Sequence, residues 1–125
     1  ENAYYHRVAA VGLLRYYLVE RFNPASIPQA IEVSRRLADD RDAEAQFRAA
    51  GIAGLFISHA LAEEPEKAES AYEQLMADDD LTAALSRYPT LVARLTDVAS
   101  ELGDRLREDA ERRFEQLRRE AEPSS

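Results

Sequence analysis

Residues 89–121 read PTLVARLTDVASELGDRLREDAERRFEQLRREA, the strongest structural pattern in the chain. The segment opens on Pro89, has no other proline and contains one glycine, Gly103. Its apolar residues recur in steps of three and four, which only an α-helix aligns on one face. The pattern predicts one amphipathic helix of roughly 33 residues, about 50 Å long at 1.5 Å per residue. Its stripe is Leu91, Leu95, Val98, Leu102, Leu106, Ala110, Phe114, Leu117 and Ala121.

The remainder of the chain also reads as helices, separated by corners rich in proline and aspartate. A helix that is apolar almost all round is predicted from Tyr4 to Phe22, and such a helix is buried by its own chain or by a partner. Further helices are predicted at about 26–37, 43–62, 65–76 and 81–87, where Asp78-Asp79-Asp80 caps the last of these. We expect an all-α protein of five or six helices. Its parts are a helical body (1–88), a long C-terminal helix (89–122) and a flexible tail (123–125).

The chain is similar to itself at a spacing of 39 residues. This offset makes helices one and two one hairpin, residues 4–40, and helices three and four a second, residues 43–79. The pattern resembles the HEAT and tetratricopeptide class of α-solenoids, whose repeats stack helical hairpins. The resemblance implies a short hairpin array capped by the last helix; an antiparallel helical bundle is the alternative. The identical pairs are Ala10/Ala49, Gly12/Gly51, Ala38/Ala77, Asp39/Asp78 and Asp40/Asp79.

Composition excludes several classes of protein. The 125 residues contain no cysteine, which removes disulfides and thiol chemistry, and a cytoplasmic location is the default expectation. No apolar run is long enough to span a membrane. The formal net charge is −8, and residues 32–80 carry thirteen acidic against five basic side chains. Nucleic-acid binders need a basic face, so direct nucleic-acid binding is not expected.

Candidate catalytic and metal chemistry is sparse. A di-iron bundle needs Glu-x-x-His motifs, but Phe56 precedes His59 and Ala3 precedes His6 at that spacing. The run Asp78-Asp79-Asp80 lacks the alternating oxygens and central glycine of a calcium loop. No glycine-rich phosphate loop or nucleophile motif is present. We therefore expect no enzyme activity, no cofactor and no metal.

The function that these patterns favour is association. The apolar faces of the first and last helices would bind a second copy of the chain, as a homodimer, or another protein. An alternative is a ligand-sensing regulatory domain, such as the effector half of a transcription regulator, with a small apolar molecule held between helices one and three beside Gly51 and Gly54. The residues predicted to contact a partner are Tyr5, Tyr16, Tyr17, Leu106, Phe114 and Leu117.

Overall fold

The computed structural model describes residues 2–121, and all regular structure in them is helical. The all-α prediction is confirmed, although the described residues form seven α-helices where five or six were expected. The first helix continues as one π-helical turn, Tyr16–Glu20, and a 3₁₀ turn, Pro24–Ser26, precedes the second. The α-helices are α1 (Asn2–Arg15), α2 (Ile27–Asp39), α3 (Ala45–Leu61), α4 (Pro65–Met76), α5 (Asp79–Leu85), α6 (Pro89–Leu102) and α7 (Asp104–Ala121).

Helix α3 lies at the centre of the fold. Twelve of its seventeen residues are buried, and it contacts α1, α2, α4, α5 and α6. Phe47, Ile52, Phe56 and Ile57 supply its large buried side chains, whereas alanines and glycines occupy most of its other buried positions. Small residues let neighbouring helix backbones approach closely, and the two phenylalanines fill the space between those helices. The apolar centre of the sequence is therefore also the centre of the structure.

Local chemistry starts the shorter helices where the sequence predicts it. Pro65 and Pro89 each occupy the first residue of a helix, a position where the missing N–H of proline costs nothing. The carboxylate of Asp78 accepts hydrogen bonds from the amides of Asp80 and Leu81, at 3.0 and 3.1 Å, and so caps α5. The predicted capping role of the aspartate run is confirmed.

The single long helix predicted over 89–122 is wrong. Helix α6 ends at Leu102, and α7 begins at Asp104 after one connecting residue, Gly103, whose φ of 140° and ψ of 151° are not helical. Helix α7 folds back along α6, since side chains from the start of α6 and the second half of α7 line one cleft. Folding back buries Ala110 and Phe114 against the body, and a straight helix would expose them.

Other predictions about the organisation of the chain have different outcomes. No helix within residues 2–121 combines the length and the apolarity that crossing a membrane requires. The predicted hairpin repeats, 4–40 and 43–79, stay a prediction. The predicted flexible tail, 123–125, lies outside the described residues.

Candidate functional site

The six residues predicted to contact a partner fall into two groups. Tyr5 and Tyr16 project from the α1 side with 70% and 49% of their surface exposed. Tyr17 is half-buried against the core. On α7, Phe114 is only 8% exposed and belongs to the core, and the half-buried Leu106 and Leu117 pack against that core. The structure therefore brings the α7 residues into contact with the chain's own body. Of the six residues, only Tyr5 on α1 and Tyr16 at the start of the π-helical turn face solvent.

The solvent side of α1 is an apolar face. Val11, Leu14 and Leu18 point into the core. The residues at the opposite positions follow the helical spacing of three and four and are exposed or half-buried. We call this surface the α1 outer face; it consists of Tyr5, Val8, Ala9, Gly12, Leu13 and Tyr16. Contiguous exposed apolar surface of this kind marks interaction sites in folded proteins.

Sequence reasoning identified only two members of the α1 outer face. Val8 and Leu13 are 46% and 43% exposed, whereas the sequence pattern predicts only a helix that is apolar almost all round and does not separate their side from the buried one. The helical spacing of Tyr5, Val8, Gly12 and Tyr16 was the available signal. It could not be used alone, because Val11 and Leu14 show an equally good spacing on the buried side.

Basic side chains border the α1 outer face. The sequence contains no carboxylate between Asn2 and Val19. Arg15 is exposed on one edge and forms no ion pair within residues 2–121. His6 and Arg36 lie on the other edge, where α1 and α2 enclose a cleft of about 470 Å³, and Arg36 is ion-paired with Glu32 at 2.6 Å. Among the described residues, Arg15 is therefore the border's unpaired positive charge, and it attracts an acidic partner and repels a basic one.

An ion pair between two residues that line this cleft, Arg7 and Asp40, holds α1 to the residue that follows α2. The Arg7 guanidinium Nε lies 2.8 Å from the Asp40 carboxylate, joining α1 to the end of α2. The hydrogen bond raises the pKa of Arg7 and lowers the pKa of Asp40. Asp40 is thereby neutralised by its own chain, and it does not offset the charge of Arg15 at the opposite edge.

Glycines distinguish the outer face of α1 from the packed faces of α3. A Cβ on Gly12 would meet no atom within 4 Å. A Cβ on Gly51 would lie 2.4 Å from the Ala38 backbone nitrogen, and one on Gly54 would lie 2.2 Å from the Ser34 hydroxyl. Helix α2 thus fills the space beside Gly51 and Gly54, where the alternative hypothesis put a small apolar ligand. Gly12 leaves an equivalent notch open to solvent.

A polar network holds α7 against α4. The Tyr72 hydroxyl donates a hydrogen bond to the Asp109 carboxylate, which also accepts from Arg113 Nε at 3.0 Å. Burial raises the pKa of Tyr72, and its hydrogen bond to Asp109 raises it further. Burial would also raise the pKa of Asp109, but the Tyr72 hydrogen bond and the charge of Arg113 outweigh that effect and lower it. The network therefore stabilises the ionised form of Asp109.

We expect Tyr72→Phe to lower the free energy of unfolding by about 1 kcal/mol at neutral pH, because Asp109 loses one of its donors. The folded-state pKa of Asp109 is lowered, so its stabilisation is present above the unfolded pKa of about 4 and is lost as pH falls through the folded value. The difference between wild type and variant should therefore shrink below about pH 4. Urea denaturation at several pH values measures it.

Tyr88→Phe provides the matched control for this prediction. Tyr88 is half-buried, whereas Tyr72 is buried, and the Tyr88 hydroxyl makes no hydrogen bond within residues 2–121. We expect its removal to change stability by less than about 0.5 kcal/mol, without pH dependence near pH 4. A Tyr72→Phe effect that stayed constant from neutral pH to pH 3 would contradict the assignment to Asp109.

The described residues offer no metal centre. No group of three or more His, Cys, Asp or Glu side chains in residues 2–121 has the arrangement needed to hold a metal ion. His59 Nδ1 lies 2.9 Å from the Glu64 carboxylate, which also accepts from Lys67 at 3.2 Å. These hydrogen bonds lower the pKa of Glu64 and connect the end of α3 to the start of α4. The expected absence of a cofactor and of enzyme activity stays a prediction.

Comparison of the chain with protein-family models, with curated proteins and with solved structures gives no match.

Proposed function

We propose that the chain is a non-enzymatic protein-interaction module whose α1 outer face binds one amphipathic helix of a partner, with carboxylates beside that helix's apolar stripe. The observation that carries the proposal is the exposure of four large apolar side chains on this one face, 43–70% each. Burying these side chains against a partner would contribute a binding free energy of about 25 cal/mol per Å² of apolar surface removed from water. Tyrosine at two of the positions is typical of interfaces, because its ring is apolar and its hydroxyl bonds at the rim.

The shape of the surface supports a helix as the occupant. Gly12 lies between Tyr5 and Tyr16 and leaves a notch with no side chain above it. A helix that crosses α1 at this notch can bring its backbone close, as α2 does at Gly51. The cleft beside Leu13, between α1 and α2, accepts side chains from the next turn of such a helix.

The charge of the surface supports an acidic partner over a second copy. Pairing two α1 outer faces about a two-fold axis places Arg15 and its copy in one interface without any intervening carboxylate from α1. Like charges across an interface cost free energy, whereas a carboxylate beside Arg15 is attracted, and one beside His6 can accept a hydrogen bond from its ring. An acid-flanked helix of another protein therefore fits better than the homodimer.

The test uses two designed peptides of about 20 residues that form amphipathic helices with the same leucine and alanine face. One carries glutamate beside this face and the other carries lysine at the same positions. We expect the glutamate peptide to bind at least about tenfold more tightly at low salt, by fluorescence anisotropy. This difference in affinity between the two peptides should decrease at 0.5 M salt, because dissolved ions then screen the attraction between exposed charges that are more than a few ångströms apart.

Variants show whether binding uses the proposed face. Tyr5→Ser with Tyr16→Ser should weaken binding of the glutamate peptide about tenfold or more, because both rings lose their contacts. Phe22→Ser is the control, an exposed aromatic residue beyond the π-helical turn whose ring stacks under Arg94. Equal affinity for both peptides would contradict the acidic partner. A dimer in light scattering that Tyr16→Ser dissociates would instead identify a second copy as the occupant.

A further inference from the structure

The connection between α6 and α7 has a backbone conformation that only glycine adopts readily. Gly103 is the sole connecting residue, and its φ of 140° with ψ of 151° lies in the region that is essentially restricted to glycine. A Cβ at this position would meet no atom within 4 Å. The backbone conformation, and not a steric clash with neighbouring atoms, therefore restricts this position to glycine.

The residues on both sides of Gly103 are suited to a continuous helix. Leu102 and Leu106 are four residues apart, so the apolar stripes of α6 and α7 continue in phase across the glycine. Glu101 and Arg105 have the spacing of a favourable ion pair, which forms only if the helix is unbroken. The break also leaves the last carbonyls of α6 and the first amides of α7 without intrahelical partners. A straight helix over 89–121 would satisfy these groups.

The contacts that favour the hairpin are contacts between α7 and the body. Ala110 is fully buried, Phe114 is buried in the core, and Asp109 accepts the hydrogen bond from Tyr72 on α4. None of these contacts requires that α7 and the body belong to the same chain. An α7 from a second copy would form the same contacts on this body.

We propose that Gly103 is a hinge at which two copies of this chain exchange their α7 helices. In the exchanged dimer residues 89–121 form one helix, and each α7 occupies the α7 site on the other copy. All buried contacts of α7 are retained, and each copy gains the helical hydrogen bonds that Gly103 interrupts. The loss of translational freedom on association favours the hairpin monomer at low concentration. This exchange is independent of the α1 outer face, and both can operate in one molecule.

The test is Gly103→Ala, with the oligomeric state followed by light scattering over a range of concentrations. Alanine is strained in the hairpin connection and is a better helix former than glycine, so it favours the straight helix over the hairpin. The exchanged dimer contains two such helices, so the substitution stabilises it at two positions. We expect the dimer dissociation constant to fall at least about a hundredfold. Ser100→Ala is the matched control, because it raises helix propensity at an exposed position of α6 without changing the hinge, and should leave the dissociation constant within about threefold.

Three further measurements distinguish exchange from other association. Hydrogen exchange at the amides of residues 103–106 should slow in the Gly103→Ala dimer, because these groups become part of the helix. Inserting two glycines after Gly103 should return the chain to a monomer, since a longer connection closes the hairpin without strain. The dimer should also survive Tyr16→Ser, which removes association through the α1 outer face.

Three results would overturn the exchange. The first is a Gly103→Ala variant that stays monomeric at millimolar concentration. The second is a dimer whose amides at residues 103–106 exchange as rapidly as in the wild-type monomer. The third is a dimer that Tyr16→Ser dissociates, which would support association through α1 and leave the hinge without a role. If Gly103→Ala does not fold, a wild-type chain that stays monomeric after concentrated refolding overturns the proposal equally.

Discussion

Gly51→Ala is expected to lower the free energy of unfolding by about 3 kcal/mol, the upper part of the usual range for overpacking. The added Cβ would lie 2.4 Å from the Ala38 nitrogen and 2.6 Å from the Ser34 carbonyl oxygen. Both atoms belong to the backbone of α2, which cannot rotate away as a side chain can. Relief therefore requires the whole of α2 to move outward from α3, separating the most closely packed pair of helices. Urea or thermal denaturation measures the loss.

Gly12→Ala is the control for this prediction. It makes the same chemical change in the middle of a helix, but its Cβ meets no atom within 4 Å. Alanine is the better helix former, so stability should stay the same or rise by up to about 1 kcal/mol. A Gly51→Ala protein of unchanged stability would contradict close packing of α2 on α3. It would also revive the hypothesis that Gly51 and Gly54 line a ligand cavity between helices.

Phe114→Ala is expected to lower the free energy of unfolding by about 3 kcal/mol and to release α7 from the body. Truncating a buried phenylalanine usually costs 3–5 kcal/mol, and about the lower limit applies here because Phe114 retains 8% exposure. Ala110, the half-buried Leu106 and Leu117 and the Tyr72–Asp109 hydrogen bond would remain to hold α7 on the body. Most helical stability in proteins comes from tertiary packing of an amphipathic face, so the eighteen residues of α7 should lose helical structure once they are detached.

Hydrogen exchange resolved along the chain tests this result. Protection should fall in residues 104–121 and persist in α3, the buried centre of the fold. Gln116→Ala is the control, an exposed position on the same helix, and should change stability by less than about 0.5 kcal/mol. Loss of protection to the same extent in α3 and α7 would show that α7 does not open separately. Phe114→Ala with unchanged stability would contradict its burial in the core.

Much of the helical order was predictable from local sequence. Pro65 and Pro89 occupy the first positions of α4 and α6, and Asp78 caps α5. These helix starts were predictable because each signal acts within about four residues of the helix end that it marks. The candidate site was predictable only in part. Tyr5 and Tyr16 were identified as contact residues, but the spacing of apolar residues in α1 is equally good on two sides. Which side faces solvent depends on where α2 and α3 lie.

Residues 89–121 show most clearly which features follow from the local sequence and which depend on tertiary contacts. Short-range patterning alone established that residues 89–121 are helical and amphipathic, since periodicity and charge pairing are properties of neighbouring residues. It could not establish that the helix breaks at Gly103, because glycine permits both the straight and the folded connection. Long-range contacts distinguish the two: burial of Ala110 and Phe114, and the bond from Tyr72 to Asp109, join residues tens of positions apart. The free energy of those contacts exists only once the chain has folded around α3.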